Sequence, residues 1–173
     1  MEKCSPRRLG MGFLAIALLA VELPANAKTL AGDAVCPNAT PYAQQYQDQA
    51  ADGNTPVDDF AATIAKAIDA YDACASRMVV SGSVEGRHYA EMRQAQFRVA
   101  QGRLFRLLER YDEARTSLQS AFALLKDSIE WRSPGRNPSD SRYKEPSLLI
   151  KQAAQAELDL LPKPGATATT APK

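Results

Sequence analysis

The stretch from Ala95 to Lys126, AQFRVAQGRLFRLLERYDEARTSLQSAFALLK, constrains this chain more than any other. Its apolar residues recur every three or four positions on either side of Glu109-Arg110-Tyr111-Asp112, which places them on one stripe of each of two helices. A helical hairpin turning at 109–112 is therefore expected, and the other segments are placed relative to it.

The helix before the turn is expected from Glu85 to Glu109. Tyr89, Met92, Ala95, Val99 and Gly102 mark its stripe, and Phe97, Leu104, Phe105, Leu107 and Leu108 widen it. A face that broad implies neighbours on two sides. Gly102 costs about 1 kcal/mol relative to alanine inside a helix, so a closely approaching neighbour is expected there. After the turn, Ala114, Leu118, Ala121, Leu125 and Ile129 form the facing stripe, with Phe122 and Leu124 alongside.

Upstream, Thr55-Pro56-Val57-Asp58 reads as a helix start: a hydroxyl cap, a proline at the first helical position and an acidic residue three after the cap. Val57, Phe60, Ala61, Ile64, Ile68, Tyr71, Ala75 and Met78 then share a face, and Val79-Val80-Ser81-Gly82 breaks it. Residues 28–54 form a more polar segment in which Pro41 to Ala51 make a short helix with Tyr42 and Tyr46 on one side. Downstream, Arg132 to Glu145 is a Ser/Pro/Gly/Arg/Asn loop with Pro134 and Pro138, longer than usual helix connections. Such a loop serves as a connector or as a binding element. A last helix from Pro146 to Pro162 carries Leu149, Ala153, Ala156 and Leu160 on one face and is expected to cap the array. Residues 162–173 are a Pro/Ala/Thr tail too poor in apolar residues to fold.

The first 27 residues read as a secretory signal peptide. Lys3, Arg7 and Arg8 make the positive start, Met11 to Val21 the apolar run, and Ala25-Asn26-Ala27 the small-x-small cleavage site. An uncleaved anchor is disfavoured by Glu22 and Pro24. No cysteine stands at the cleavage point, so an exported protein is expected rather than a lipoprotein. Removing the segment takes three of 21 basic residues and two of 20 acidic ones, leaving 18 of each. That balance lacks the basic footprint of a nucleic-acid binder. Cys36 and Cys74 remain, an even number in an oxidising compartment, and are expected to form one disulfide. Cys74 lies beside its helix's apolar stripe, which puts the bridge at the margin of the core. A redox role is disfavoured because Cys-x-x-Cys is absent.

Gly102, Phe105, Tyr111-Asp112-Glu113-Ala114, Leu118 and Ala121 together resemble a tetratricopeptide repeat in order and spacing. The likeness spans about 34 residues. It departs from the family at Arg98, where a tryptophan or other large residue is usual, at Gln101 (leucine), at Glu109 (often glycine) and at Lys126 (often proline). Ala67, Tyr71 and Cys74 have the spacing of a preceding repeat's second helix, but the offset from Ala67 to Ala114 is 47 residues, so any array is irregular. The resemblance implies an all-α fold of antiparallel hairpins, a short array with a C-terminal capping helix over 55–161.

Chemistry-bearing residues are sparse. His88, the sole histidine, has no second histidine or cysteine at metal-ligand spacing and reads as a surface or helix-packing residue. Asp58-Asp59 and Asp112-Glu113 sit in first helical turns, where the helix dipole favours them. Phosphate-loop, nucleophile and metal motifs are absent, so no catalytic, metal or cofactor residue is assigned and a non-enzymatic protein is expected. Arg87, Arg93, Arg98, Arg103, Arg106, Arg110 and Arg115 make the hairpin arginine-rich. In the resembled family the first helix of a repeat lines a concave groove. Arg103 and Arg106 fall at positions that can face it and grip a carboxylate of a protein or peptide partner. The alternative is a solvated face in which the arginines pair with Glu91, Glu109 and Glu113. Trp131 reads as a core plug. Two further readings stay open: a self-associating, homodimeric envelope protein, and an accessory subunit or inhibitor of an envelope enzyme presenting the 132–145 loop.

Overall fold

The computed structural model describes residues 34–130 and 143–163. The expected signal segment, Trp131, most of the 132–145 loop and the end of the tail lie outside them. Five helices follow one another: α1 (Thr40–Asp52), α2 (Val57–Val80), α3 (Val84–Leu107), α4 (Tyr111–Glu130) and α5 (Lys144–Asp159). Each packs against the next, and α3 also touches α5, giving an all-α arrangement of antiparallel hairpins. None of them is long and apolar enough to cross a membrane.

The periodic residues of the hairpin do what their spacing requires. Ala114, Leu118, Ala121 and Leu125 of α4 are fully buried against Ala95, Val99 and Leu104 of α3. A Cβ on Gly102 would sit 2.6 Å from Leu118 Cγ and 3.3 Å from the Ala114 carbonyl oxygen. At Gly102 α4 therefore lies too close for a side chain, and the glycine's cost in helix propensity is offset by the packing it permits.

The turns are built from backbone hydrogen bonds. After α2, Ser83 N–H donates to the Met78 carbonyl and Gly82 N–H to that of Val79, with Gly82 at φ 72°. After α3 the pattern repeats: Arg110 N–H donates to Phe105 and Glu109 N–H to Arg106. These are Schellman closures, which need a left-handed residue just past the helix. Glu109 fills that position at φ 59°, where a glycine would sit without steric cost. The Arg110 guanidinium stacks over the Phe105 ring at 4.4 Å and chelates Glu113, which fixes the chain's entry into α4. Replacing Glu109→Gly is expected to stabilise the protein by about 1 kcal/mol, the left-handed penalty removed. A denaturant midpoint that falls instead would show that the glutamate side chain contributes more than its backbone costs.

At the N-terminal end, aromatic side chains join three helices. Tyr46 of α1 stacks on Phe60 of α2 at 5.2 Å and meets Phe97 of α3 edge-on at 5.3 Å, while Tyr71 stacks on Phe97 at 5.8 Å. The part of 28–54 described here thus belongs to the same core as the rest, through Cys36, Ala39, Ala43 and Tyr46. The Cys36–Cys74 disulfide forms as expected, with Cα atoms 5.7 Å apart. It is not marginal: both cysteines are essentially inaccessible, because the lead-in to α1 folds over the bridge.

Two boundaries and one face differ from expectation. Pro56, not Thr55, occupies the cap position of α2, and no side chain caps that helix. Ser83 does cap α3, accepting from Gly86 N–H. The last helix begins at Lys144, inside the expected loop, because Pro146 is tolerated in a first helical turn. Most of the expected apolar face of α5 is turned outward: Leu149 is 46% and Leu160 63% exposed, although Ala153 is half-buried against the core. Its inward face is Ser147, Ile150, Ala154, Glu157 and Leu161. The charge of Glu157, described next, accounts for that rotation.

Candidate functional site

Arg103 and Arg106 lie one turn apart on α3 and do converge on a carboxylate. It is the chain's own: Arg103 Nε donates to Glu157 Oε1 at 2.5 Å and Arg106 Nε to Oε2 at 2.8 Å. Glu157 is 4% exposed, and its two guanidinium partners keep about a fifth of their surface in solvent. A buried carboxylate is tolerated only when paired and hydrogen-bonded, and two cations meet that need here. This contact, with an Arg115 hydrogen bond to the Pro162 carbonyl at 2.7 Å, fixes how α5 lies on the hairpin.

The stripe continues toward the N-terminus of α3 through Ala100, Phe97, Gln96 and Arg93. With Ala43, Tyr46 and Gln47 of α1 these residues line a shallow cleft between α1 and α3. It has room for about one water molecule, too little for a small organic molecule. Arg93 is braced for this position: its Nε donates to the Tyr71 hydroxyl, its Nη1 to Gln96 Oε1, and its guanidinium lies over the rings of Tyr71 and Phe97. Burial pushes the Tyr46 phenol up, and the positive charge of Arg103 pulls it partly back. It stays a neutral hydroxyl at physiological pH.

The other arginines of the hairpin have separate duties. Arg98 hydrogen-bonds Gln101, and Ser117 donates to the Arg98 carbonyl and to Gln101. The two residues that depart from the tetratricopeptide pattern at 98 and 101 thus form a polar link across α3 and α4. Arg87 pairs with Glu91 and Asp127.

His88 sits beside that pair, buried between α3 and α4. The Ser128 hydroxyl lies 3.2 Å from His88 Nδ1, and Glu91 Oε2 lies 3.4 Å from the same nitrogen. Both groups approach one ring atom, so they do not form the two-sided Ser–His–carboxylate relay of a hydrolase. No group of three or more possible metal ligands occurs among the described residues.

Burial, and secondarily Arg87, lower the His88 pKa, with Asp127 opposing; burial raises that of Glu91. The histidine is protonated more readily in the unfolded chain, so its contribution to stability is lost as pH falls through the region just below about 6.5. Glu91 acts oppositely, since the folded chain takes up its proton first as pH falls towards the ordinary carboxylate range. Chemical denaturation of the parent and of His88→Gln between pH 7.5 and 5.5 is expected to give a flatter profile for the variant. The difference is bounded by one proton, about 1.4 kcal/mol per pH unit. Parallel profiles would place the acid sensitivity elsewhere.

The family resemblance pointed to Arg103 and Arg106, and nothing in it pointed to Glu157 or to the α1 side of the cleft. The usable signal for Glu157 was a second α5 stripe, Ile150, Ala154, Glu157 and Leu161, whose one charge demands a cation on the facing helix. No family model, curated protein or solved structure matches the chain. The tetratricopeptide likeness therefore rests on the residues that carry it.

Proposed function

We propose that this chain is an exported, non-enzymatic interaction module, a tetratricopeptide-like adaptor that binds a protein or peptide segment in the cell envelope. The observation that supports it most is the side of α3 facing α1. There the braced cation of Arg93, two amides and apolar walls line a small shallow cleft, and Arg103 follows one turn beyond Ala100, outside the cleft and paired with Glu157. Guanidinium and amide groups recognise carboxylates and peptide groups, and the apolar floor of Tyr46, Phe97 and Ala100 suits a side chain between them. A disulfide inside the core fits an oxidising compartment; with the signal-like first 27 residues it supports a periplasmic or secreted location.

Crosslinked recovery of partners from intact cells tests this reading, provided that fold and contact are separated. Arg103→Ala/Arg106→Ala and Glu157→Ala both loosen α5, but only the former removes the guanidinium groups. Loss of one envelope protein with the arginine variant, and its retention with Glu157→Ala, would be expected of a groove that grips its ligand. Equal recovery by the parent and the arginine variant, or equal loss in both variants, sinks the arginine-groove assignment.

A further inference from the structure

Helix α5 carries two apolar stripes, and among the described residues only one is fully covered by other helices. In the other, Leu149, Ala156 and Leu160 look outward, the leucines 46% and 63% exposed, while Ala153 is half-buried at the edge of the core. We propose that this stripe is a two-fold docking face for a second copy of the chain, α5 of one copy lying antiparallel on α5 of the other.

The stripe is symmetrical under reversal. Its spacings are four, three and four, and its sizes run large, small, small, large. A two-fold axis passing between Ala153 and Ala156 sets Leu149 of each copy against Leu160 of the other and alanine against alanine at the centre. Such an isologous contact closes on itself and yields a dimer, not a filament. Central alanines let the two axes approach towards the near end of the usual 8–10 Å range, with the leucines packing on either side.

Charge selects the direction. Glu145 stands in the first turn of α5 about 50° from the stripe, Lys144 on the far side of the helix, and Lys163 four residues past Asp159, all exposed. Antiparallel helices bring each glutamate towards the other copy's lysine, whereas parallel helices would set like charges together. Opposed helix dipoles favour the same choice. The Glu157 contact with Arg103 and Arg106 on the opposite side holds the rotation of α5, so the stripe remains outward.

The area is modest. A helix of 16 residues is about 24 Å long, which puts the contact at the low end of specific interfaces and makes a weak, reversible dimer the expectation. Sedimentation velocity from about 1 μM to 1 mM should show a monomer–dimer equilibrium in the parent chain. Leu149→Gln/Leu160→Gln should weaken it more than tenfold while leaving the thermal unfolding curve in place, since both side chains are already largely exposed. In a Cys4→Ser background, mixing a Leu149→Cys chain with a Leu160→Cys chain should give the mixed disulfide. Either chain alone should not crosslink, because like positions lie about 16 Å apart along antiparallel helices. A monomer throughout, a double-glutamine variant that dimerises as well as the parent, or 149-to-149 crosslinks would each overturn the proposal.

Discussion

Glu157→Ala is expected to destabilise the protein by about 3 kcal/mol, because it leaves two guanidinium groups converging on a site with no anion. Removing one member of a buried ion pair typically costs about 3–5 kcal/mol. The lower end applies here because Arg103 and Arg106 retain some solvent contact. The control is replacement of the whole set. Arg103→Met/Arg106→Leu/Glu157→Leu is expected to recover most of the lost stability, since apolar side chains of similar length need no compensating charge. Urea denaturation of the three chains measures both differences. A Glu157→Ala chain as stable as the parent would mean that α5 is held by its apolar contacts alone.

Cys36→Ser/Cys74→Ser is expected to cost about 3–4 kcal/mol. The bridge closes a loop of 38 residues, and the chain-entropy relation gives a value between the roughly 3 kcal/mol of a 15-residue loop and the 4.7 of a 100-residue one. The loss should be local before it is global. Without the bridge α1 is tied to the body chiefly by Ala39, Ala43 and the Tyr46 ring contacts. Limited proteolysis should therefore cut first between Asp52 and Pro56 in the reduced or substituted chain, while the oxidised parent resists. Identical cleavage patterns and midpoints in the two chains would show that the aromatic contacts suffice.

Much of this fold was legible in the sequence, and the exceptions share a cause. Where one helix face is apolar and the other polar, as in α2 and α4, spacing alone identified Phe60, Ile64, Ile68, Tyr71, Ala114, Leu118, Ala121 and Leu125 as core. The reason for Gly102 followed as well, since a glycine inside a strong helix implies a close neighbour. In α5 two stripes compete, and hydrophobicity favours the wrong one because it scores Glu157 as a surface residue. The partners that make its burial tolerable lie 51 and 54 positions earlier, beyond the reach of any local pattern. The cysteines were paired correctly yet placed at the edge, because the polar composition of 34–54 hides Ala39 and Ala43, small residues that bury easily. The cleft was illegible for a similar reason: three of its seven lining residues come from α1, which packs through Ala43 and Tyr46 in an otherwise polar segment.

The position of the disulfide also bears on how the protein is made. Cys36 and Cys74 both precede the end of α2, and nearly all other packing joins each helix to the next one along the chain. A chain that emerges N-terminus first can close this bond while everything after Val80 is still undelivered. It then presents a covalently fixed pair of helices on which α3, α4 and α5 add in turn. Contacts so local in sequence require little loop closure at each step, so oxidation can come early, and no cysteine after Cys74 competes for it.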